Sequence, residues 1–269
     1  MAPPPGSPPR AVGTAVSIEA WAERFVTSPD LAVKVDPGPS PRTFAGDPPR
    51  RLEAPGRPQI LTLVGKAKRS LQPHQLRQPR HRARLLHTFW HHELQAAELM
   101  AWAILAFADA PRSFRTGLLA ICKEELAHMR IYQAEIERLG FGLGAFPVRD
   151  WFWQRVATCV TPIQFVALMG LGLEGGNLDH SSRYRQAFVD AGDLDAARAQ
   201  DRVGRDEIRH VRFAARWFAR WTGGLDFDRW TRELPPPLSP QLLRGARLDR
   251  DARARAGLPP EFLDALAAT

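Results

Sequence analysis

Two short stretches decide the fold: Glu124-Glu125-Leu126-Ala127-His128 and Asp206-Glu207-Ile208-Arg209-His210. Each carries an acidic pair, with a His three residues after the second acid. On a helix, residues three apart leave the same face. Glu125 with His128, and Glu207 with His210, can therefore each aim a carboxylate and an imidazole at one point. The chain around both stretches reads as helix. Apolar residues recur at three- and four-residue steps, alternation is rare, and β-branched runs are short.

Working outward, a first long helix is expected from about Arg80 to Phe107, with Leu85, Phe89, Ala96, Met100 and Ile104 on one stripe. Asp109-Ala110-Pro111 predicts a cap and a first-turn proline for a second helix, which Gly140 stops after Leu139. A short aromatic helix is expected around Asp150 to Cys159. Thr161-Pro162 opens a third long helix ending near Gly192, and Asp193 opens a fourth ending at Thr222-Gly223-Gly224. Tight loops make antiparallel neighbours, and the longer 140–161 connection can cross the bundle. The predicted fold class is all-α: a four-helix bundle over 80–224. A Pro-rich, basic, partly irregular N-terminal arm (1–79) precedes it, with one short helix over Ser17 to Phe25. A C-terminal extension (225–269) packs on the bundle. More than half of the 24 Pro fall in the arm, where the missing backbone donor and fixed φ forbid long helices.

The hairpins repeat one layout. Glu93 lies as far before the first tight loop as Glu125 lies after it, and Glu174 and Glu207 flank the second loop in the same way. Glu93, Glu125, His128, Glu174, Glu207 and His210 are thus the expected metal ligands, one Glu and one Glu-x-x-His per hairpin. This is a known layout of dinuclear iron and manganese carboxylate bundles. Hard carboxylate oxygens suit iron and manganese, and imidazole adds a borderline nitrogen. Four carboxylates buried without cations would be very costly. Glu98 is the rival first-helix ligand, but its level misses that of Glu125. Metal-bound His usually donates its second nitrogen to a carboxylate or carbonyl, so Glu124, Asp206, Glu98 and His91 are candidates to support the ligands from outside. His87 and His92 read as surface or supporting groups and His180 as structural. Gly172, Gly175 and Gly176 surround Glu174. Each costs a helix interior about 1 kcal/mol relative to Ala, so they mark either close packing or a substrate pocket with a local bulge. Tyr132 and Tyr184 both fall outside one turn of a ligand in sequence, which weighs against a tyrosyl-radical role.

Composition excludes other classes. The 269 residues include only 2 Cys, Cys122 and Cys159, so no disulfide framework exists. The longest apolar run, Leu99 to Ala108, is about half of the ~20 residues a membrane helix needs. The start has no basic-then-apolar leader, so a cytoplasmic location with no membrane partner is expected. The net charge of +8 concentrates in Lys66, Lys68, Arg69, Arg77, Arg80, Arg82 and Arg84, with a second cluster at Arg244, Arg247, Arg250, Arg253 and Arg255. Such a surface can attract nucleic acid. RNA stays open as a partner without a recognisable binding motif, and a homodimer stays open as well.

The run His91-His92-Glu93-Leu94-Gln95-Ala96-Ala97-Glu98-Leu99 belongs to a wider pattern. With it go Glu124 to His128, Leu173-Glu174, Leu178-Asp179, and Asp206 to Val211 followed by Arg216-Trp217-Phe218. Over about residues 50–225 this set resembles an uncharacterised bacterial ferritin-like family, domain of unknown function 455. The resemblance implies a ferritin-like four-helix bundle with a carboxylate-bridged metal pair. More distantly, the chain is similar to a di-iron tRNA hydroxylase. The family's third-helix pattern continues Glu-Ala-Arg-Gly-Leu-Asp, whereas this chain has Glu174-Gly175-Gly176-Asn177-Leu178-Asp179 and lacks the Arg.

The leading functional expectation is an O2-dependent oxidase or oxygenase of the hydroxylase type. It would use two iron ions (or manganese) and act on an unidentified small molecule, with an external electron donor, since no flavin, haem or iron–sulfur motif is present. The alternatives are an iron-handling ferroxidase, store or peroxide scavenger, and a non-catalytic binding module stabilised by metal.

Overall fold

A computed structural model describes residues 16–65, 71 and 73–269. Lys66, Lys68 and Arg69 of the basic arm lie outside the described residues. Four long helical runs form the bundle: α3 (Pro79–Ala106), α4 (Arg112–Arg138), the run from α6 (Pro162–Phe165) through a π-helical stretch (Val166–Glu174) into α7 (Gly175–Asp190), and α8 (Leu194–Thr222). α3 pairs with α4, α7 with α8, and α4 with α8 across the middle. The fold is a predominantly α-helical, ferritin-like four-helix bundle. Among the described residues there is no sheet, only an isolated bridge between Leu63 and Val148.

The ends of these helices follow local chemistry. Asp193 caps α8 by accepting from the N–H of Ala196, and Gly223 ends it at φ +83°, a left-handed conformation that favours glycine. Asp109 does not cap α4 as expected. Pro111 occupies that position, and its carbonyl accepts from the N–H groups of Phe114 and Arg115. Arg82 at the start of α3 and Arg138 at the end of α4 both ion-pair with Asp193. That shared anion sets the two hairpins level with each other.

The described part of the arm is packed. α1 (Ile18–Thr27), capped by Ser17, buries Trp21, Ala22, Phe25 and Val26 and lies along α3. The next turn, α2 (Leu31–Val35), sends Lys34 inward. Its Nζ donates to the carbonyls of Phe25 and Val26 and pairs with Glu98. A cation there also opposes the negative end of the α1 dipole. Gly56 passes so close that a Cβ would stand 2.1 Å from the Thr27 carbonyl oxygen.

At the other end of the chain, α9 (Phe227–Glu233), a 3-10 turn (Pro240–Leu243), α10 (Arg250–Arg255) and α11 (Pro260–Ala267) cover the outside of the third helical run. Asp179 of α7 holds them. It accepts from both Nε and Nη2 of Arg253 and from the N–H groups of Gly245 and Asp249. Arg250 pairs with Asp264 and Arg255 with Asp251, so much of the second basic cluster is internally matched. Among the described residues, no helix is long and apolar enough to cross a membrane.

Candidate metal centre

Glu93 comes from α3, Glu125 and His128 from α4, Glu174 from the last position of the π-helical stretch, and Glu207 and His210 from α8. All six are buried. Their ligand atoms form two overlapping groups, each within 4.8 Å: Glu93, Glu125, His128 and Glu207, then Glu125, Glu174, Glu207 and His210. Glu125 and Glu207 belong to both groups, so the site has two candidate metal positions joined by two shared carboxylates.

The imidazoles are oriented alike. Nδ1 of His128 lies 3.0 Å from Glu125 and 3.6 Å from both Glu93 and Glu207. Nδ1 of His210 lies 2.9 Å from both Glu125 and Glu207. The other nitrogens face outward. Nε2 of His210 is 2.9 Å from Glu124, and Nε2 of His128 is 3.5 Å from Asp206. His210 is therefore backed by Glu124, the acid before the Glu-x-x-His glutamate of the opposite helix, whereas Asp206 stands near Nε2 of His128 without a hydrogen bond. Arg209 bonds both Glu124 and Asp206 and ties the two supports together.

The electrostatics show how costly the cluster is with protein groups alone. Burial, followed by the neighbouring carboxylates, pushes the Glu93 and Glu174 carboxyls well above the ordinary range. Burial opposes the charged forms of His128 and His210, yet the surrounding carboxylates win. The first is raised to about 11 and the second also rises well above its usual value. Burial would raise Glu125 too, but the two imidazoles hold it below the usual range. Oε1 of Glu174 and Oε1 of Glu207 are buried with no hydrogen-bond partner. Orphaned buried carboxylate oxygens are expensive. Two divalent cations would neutralise four carboxylates and use these oxygens, and oxygen donors with imidazole nitrogen suit iron or manganese. The residues present fit such a pair.

Two expected supporters have other partners. Glu98 is fully buried and pairs with Lys34 and Arg57, not with a ligand, because its position faces the arm. His91 is buried with Nε2 3.1 Å from Asp150, which Arg57 also grips. His87 is likewise internal: its Nε2 accepts from the N–H of Gly144, and burial pushes it down to about 4. Tyr132 follows His128 by four residues, so it lies on the same side of α4. It is buried, its hydroxyl donates to Gln200, and burial with the Glu93 and Glu207 carboxylates raises its pKa. Gln200 in turn donates to Ser181.

A cavity of about 180 Å³ opens beside Glu93 and Glu174. Gly172 and Gly176 line it, whereas Gly175 faces the Arg253 guanidinium. Its walls also include His92, Phe152, His180 and Leu243, none of which was singled out as pocket-forming from sequence. A Cβ on Gly176 would stand 2.9 Å from the Leu243 carbonyl oxygen, so the position where the family pattern has Arg has no room for a side chain. Gly170 serves packing: a Cβ there would meet Cβ of Ala214 on α8 at 2.2 Å.

A ferritin-like bundle with two fused Glu/His groups is the class that this fold and site define. The chain belongs to the family described as protein of unknown function (DUF455), whose profile matches residues 15–264. The match extends well past residues 50–225 and takes in both α1 and the C-terminal helices. An uncharacterized protein of Haemophilus influenzae is 27% identical over 192 residues, covering 68% of this chain and 66% of that protein. The match thus spans just under two thirds of that relative's length. No solved structure matches.

Proposed function

We propose that this chain is a dinuclear metal oxidoreductase that holds two iron ions, with manganese as the alternative, and oxidises an organic substrate with O2. The observation that carries this reading is the sharing of Glu125 and Glu207 between two four-residue groups, with one carboxylate oxygen each of Glu125, Glu174 and Glu207 buried without a hydrogen-bond partner. When bound, the metal pair supplies the redox chemistry with O2. The chain's own residues do the rest. Glu125 and Glu207, which belong to both groups, would help to hold both ions, with Glu93 and His128 completing one group and Glu174 and His210 the other. Glu124 accepts from the outward Nε2 of His210, which keeps that nitrogen protonated and Nδ1 offered inward. The packed apolar helices keep bulk water from the centre. Electrons come from an external donor.

The cavity beside Glu93 and Glu174 favours an organic substrate over iron storage, which needs no such pocket. The test is expression with iron, metal analysis of the purified chain, and O2 uptake with a chemical reductant. About two metal ions per chain and reductant-dependent uptake are expected. Fewer than about one ion per chain, unchanged in Glu125→Ala, overturns the reading.

A further inference from the structure

The cavity beside the candidate metal centre has a composition that points to what it receives. This inference rests on the dinuclear reading and deepens it. One wall is aromatic: Phe89, Trp151, and Phe152, whose ring stacks on His92 at 4.6 Å between centroids and 27° between planes. The facing wall is aliphatic, with Leu173, Leu243 and, at the rim, Leu242, which is 63% exposed. Apart from Glu93 and Glu174, both assigned to the metal positions, no Lys, Arg, Asp or Glu side chain among the described residues lines it. Asn177, His180 and His92 supply the remaining side-chain polarity, and the His92 ring is stacked on Phe152. Neither Asn177 nor His180 makes a side-chain hydrogen bond among the described residues, so both can serve a ligand. His180 is held toward its neutral form, mainly by burial.

Size narrows the choice. An apolar protein cavity of about 150 Å³ is filled by benzene, so about 180 Å³ here takes one ring rather than a whole large ligand. Aromatic faces favour offset or edge contacts with another ring. A charged group would have no counter-charge and would lose its hydration. The aliphatic wall is also fixed in place. Leu242 and Leu243 sit on the 3-10 turn directly before Gly245, whose N–H is held by Asp179. The pocket is thus preformed, which reduces the ordering cost of binding.

We infer that this pocket binds an uncharged, ring-sized, mainly apolar part of the substrate, with Asn177 and His180 hydrogen-bonding its polar edge and the ring presented to the Glu93–Glu174 side of the metal centre.

The test uses the full chain, metal-loaded and metal-free, with fluorine-labelled probes followed by 19F NMR. The probes are 4-fluorophenol (neutral ring), 4-fluorobenzylamine (cation), 4-fluorobenzenesulfonate (anion) and 6-fluorohexanol (chain). The neutral ring should bind in the millimolar range or better, and at least about tenfold more tightly than the other three. Ala96→Phe, which fills the pocket from α3, should weaken it by about tenfold or more. Asn177→Phe does so from a half-buried position that folding tolerates more easily. Equal or tighter binding of a charged or chain probe overturns the inference. So does no saturable binding of the neutral ring, or binding unaffected by the filling variant that folds. Metal analysis of the same samples separates the two readings. Probe binding by a chain that takes up no metal removes only the dinuclear reading, and metal uptake without probe binding removes only this one.

Discussion

Glu124 of α4 lies 2.9 Å from Nε2 of His210 on α8, while Asp206 of α8 lies 3.5 Å from Nε2 of His128 on α4. The two acids cross between the helices, but only Glu124 makes a hydrogen bond to the opposite imidazole. The electrostatics agree with the geometry, since the hydrogen bond to His210 holds the Glu124 carboxyl below its ordinary range although burial would raise it.

Removing such an outer partner typically costs 10–100-fold in metal affinity. Glu124→Ala is expected to weaken one of the two ions by about that factor, read from competition with a chelator. Asp206→Ala, at the longer contact, is expected to do less. Equal and negligible effects from both would show that the crossed contacts do not support the site.

The shared carboxylates make a stoichiometric prediction. Glu125→Ala and Glu207→Ala should each lose both ions, because both groups include them. Glu93→Ala and Glu174→Ala should each lose about one. Metal content per chain by mass spectrometry distinguishes the patterns, and one-ion loss from all four variants contradicts bridging.

Metal uptake should release protons. Without metal, burial pushes the Glu93 and Glu174 carboxyls toward their protonated forms, and the surrounding carboxylates do the same for the His128 and His210 imidazoles, so bound metal displaces protons. Metal affinity should therefore rise with pH, measured by titration calorimetry in buffers of different ionisation enthalpy. Stability of the metal-free chain should move the other way. Stabilisation from a raised imidazole is full below its unfolded value near 6.5 and is lost as pH approaches about 11 for His128. The raised carboxyls add loss in the same direction from above about pH 4.5. A melting temperature that climbs with pH over 7–9 in the metal-free chain would contradict this assignment.

Lys34 makes a separate prediction. It and Glu98 are fully buried and 2.7 Å apart, and burial lowers the Lys34 pKa against the pull of Glu98. Removing one member of a buried pair costs about 3–5 kcal/mol, although Arg57 at 2.6 Å still partners Glu98. Lys34→Met should destabilise toward the low end of that range in urea unfolding, with metal content unchanged. Loss of metal together with stability would instead tie the arm to the site.

At acid pH, Asp150 should matter. Burial would raise it, but the hydrogen bonds from His91 and Arg57 hold it down at about 2. A depressed carboxyl contributes stability present above its unfolded value near 3.8 and lost as pH falls toward 2. Asp150→Asn should therefore flatten the fall in stability between about pH 4 and 2, followed by circular dichroism.

Much of the frame was legible because helix periodicity is local. Glu125 with His128 and Glu207 with His210 need only the three-residue step to share a face, and loop symmetry places Glu93 and Glu174 at their level. Less legible were Glu98 and His91. Their types and positions suit a metal's surroundings, but Lys34, Arg57 and Asp150, distant in sequence, take them.

By itself, then, the sequence determined the helices, their antiparallel pairing and the kinds of donor that face inward, because each depends on spacing within a few turns. Only the tertiary structure decided which carboxylates are shared, which acid backs which His, and which residues wall the cavity. The positions of Leu242 and Leu243 show why. They reach the Glu174 side of the bundle only through the long-range grip of Asp179 on Arg253 and on the N–H of Gly245, and burial of such pairs depends on segments that no local pattern connects.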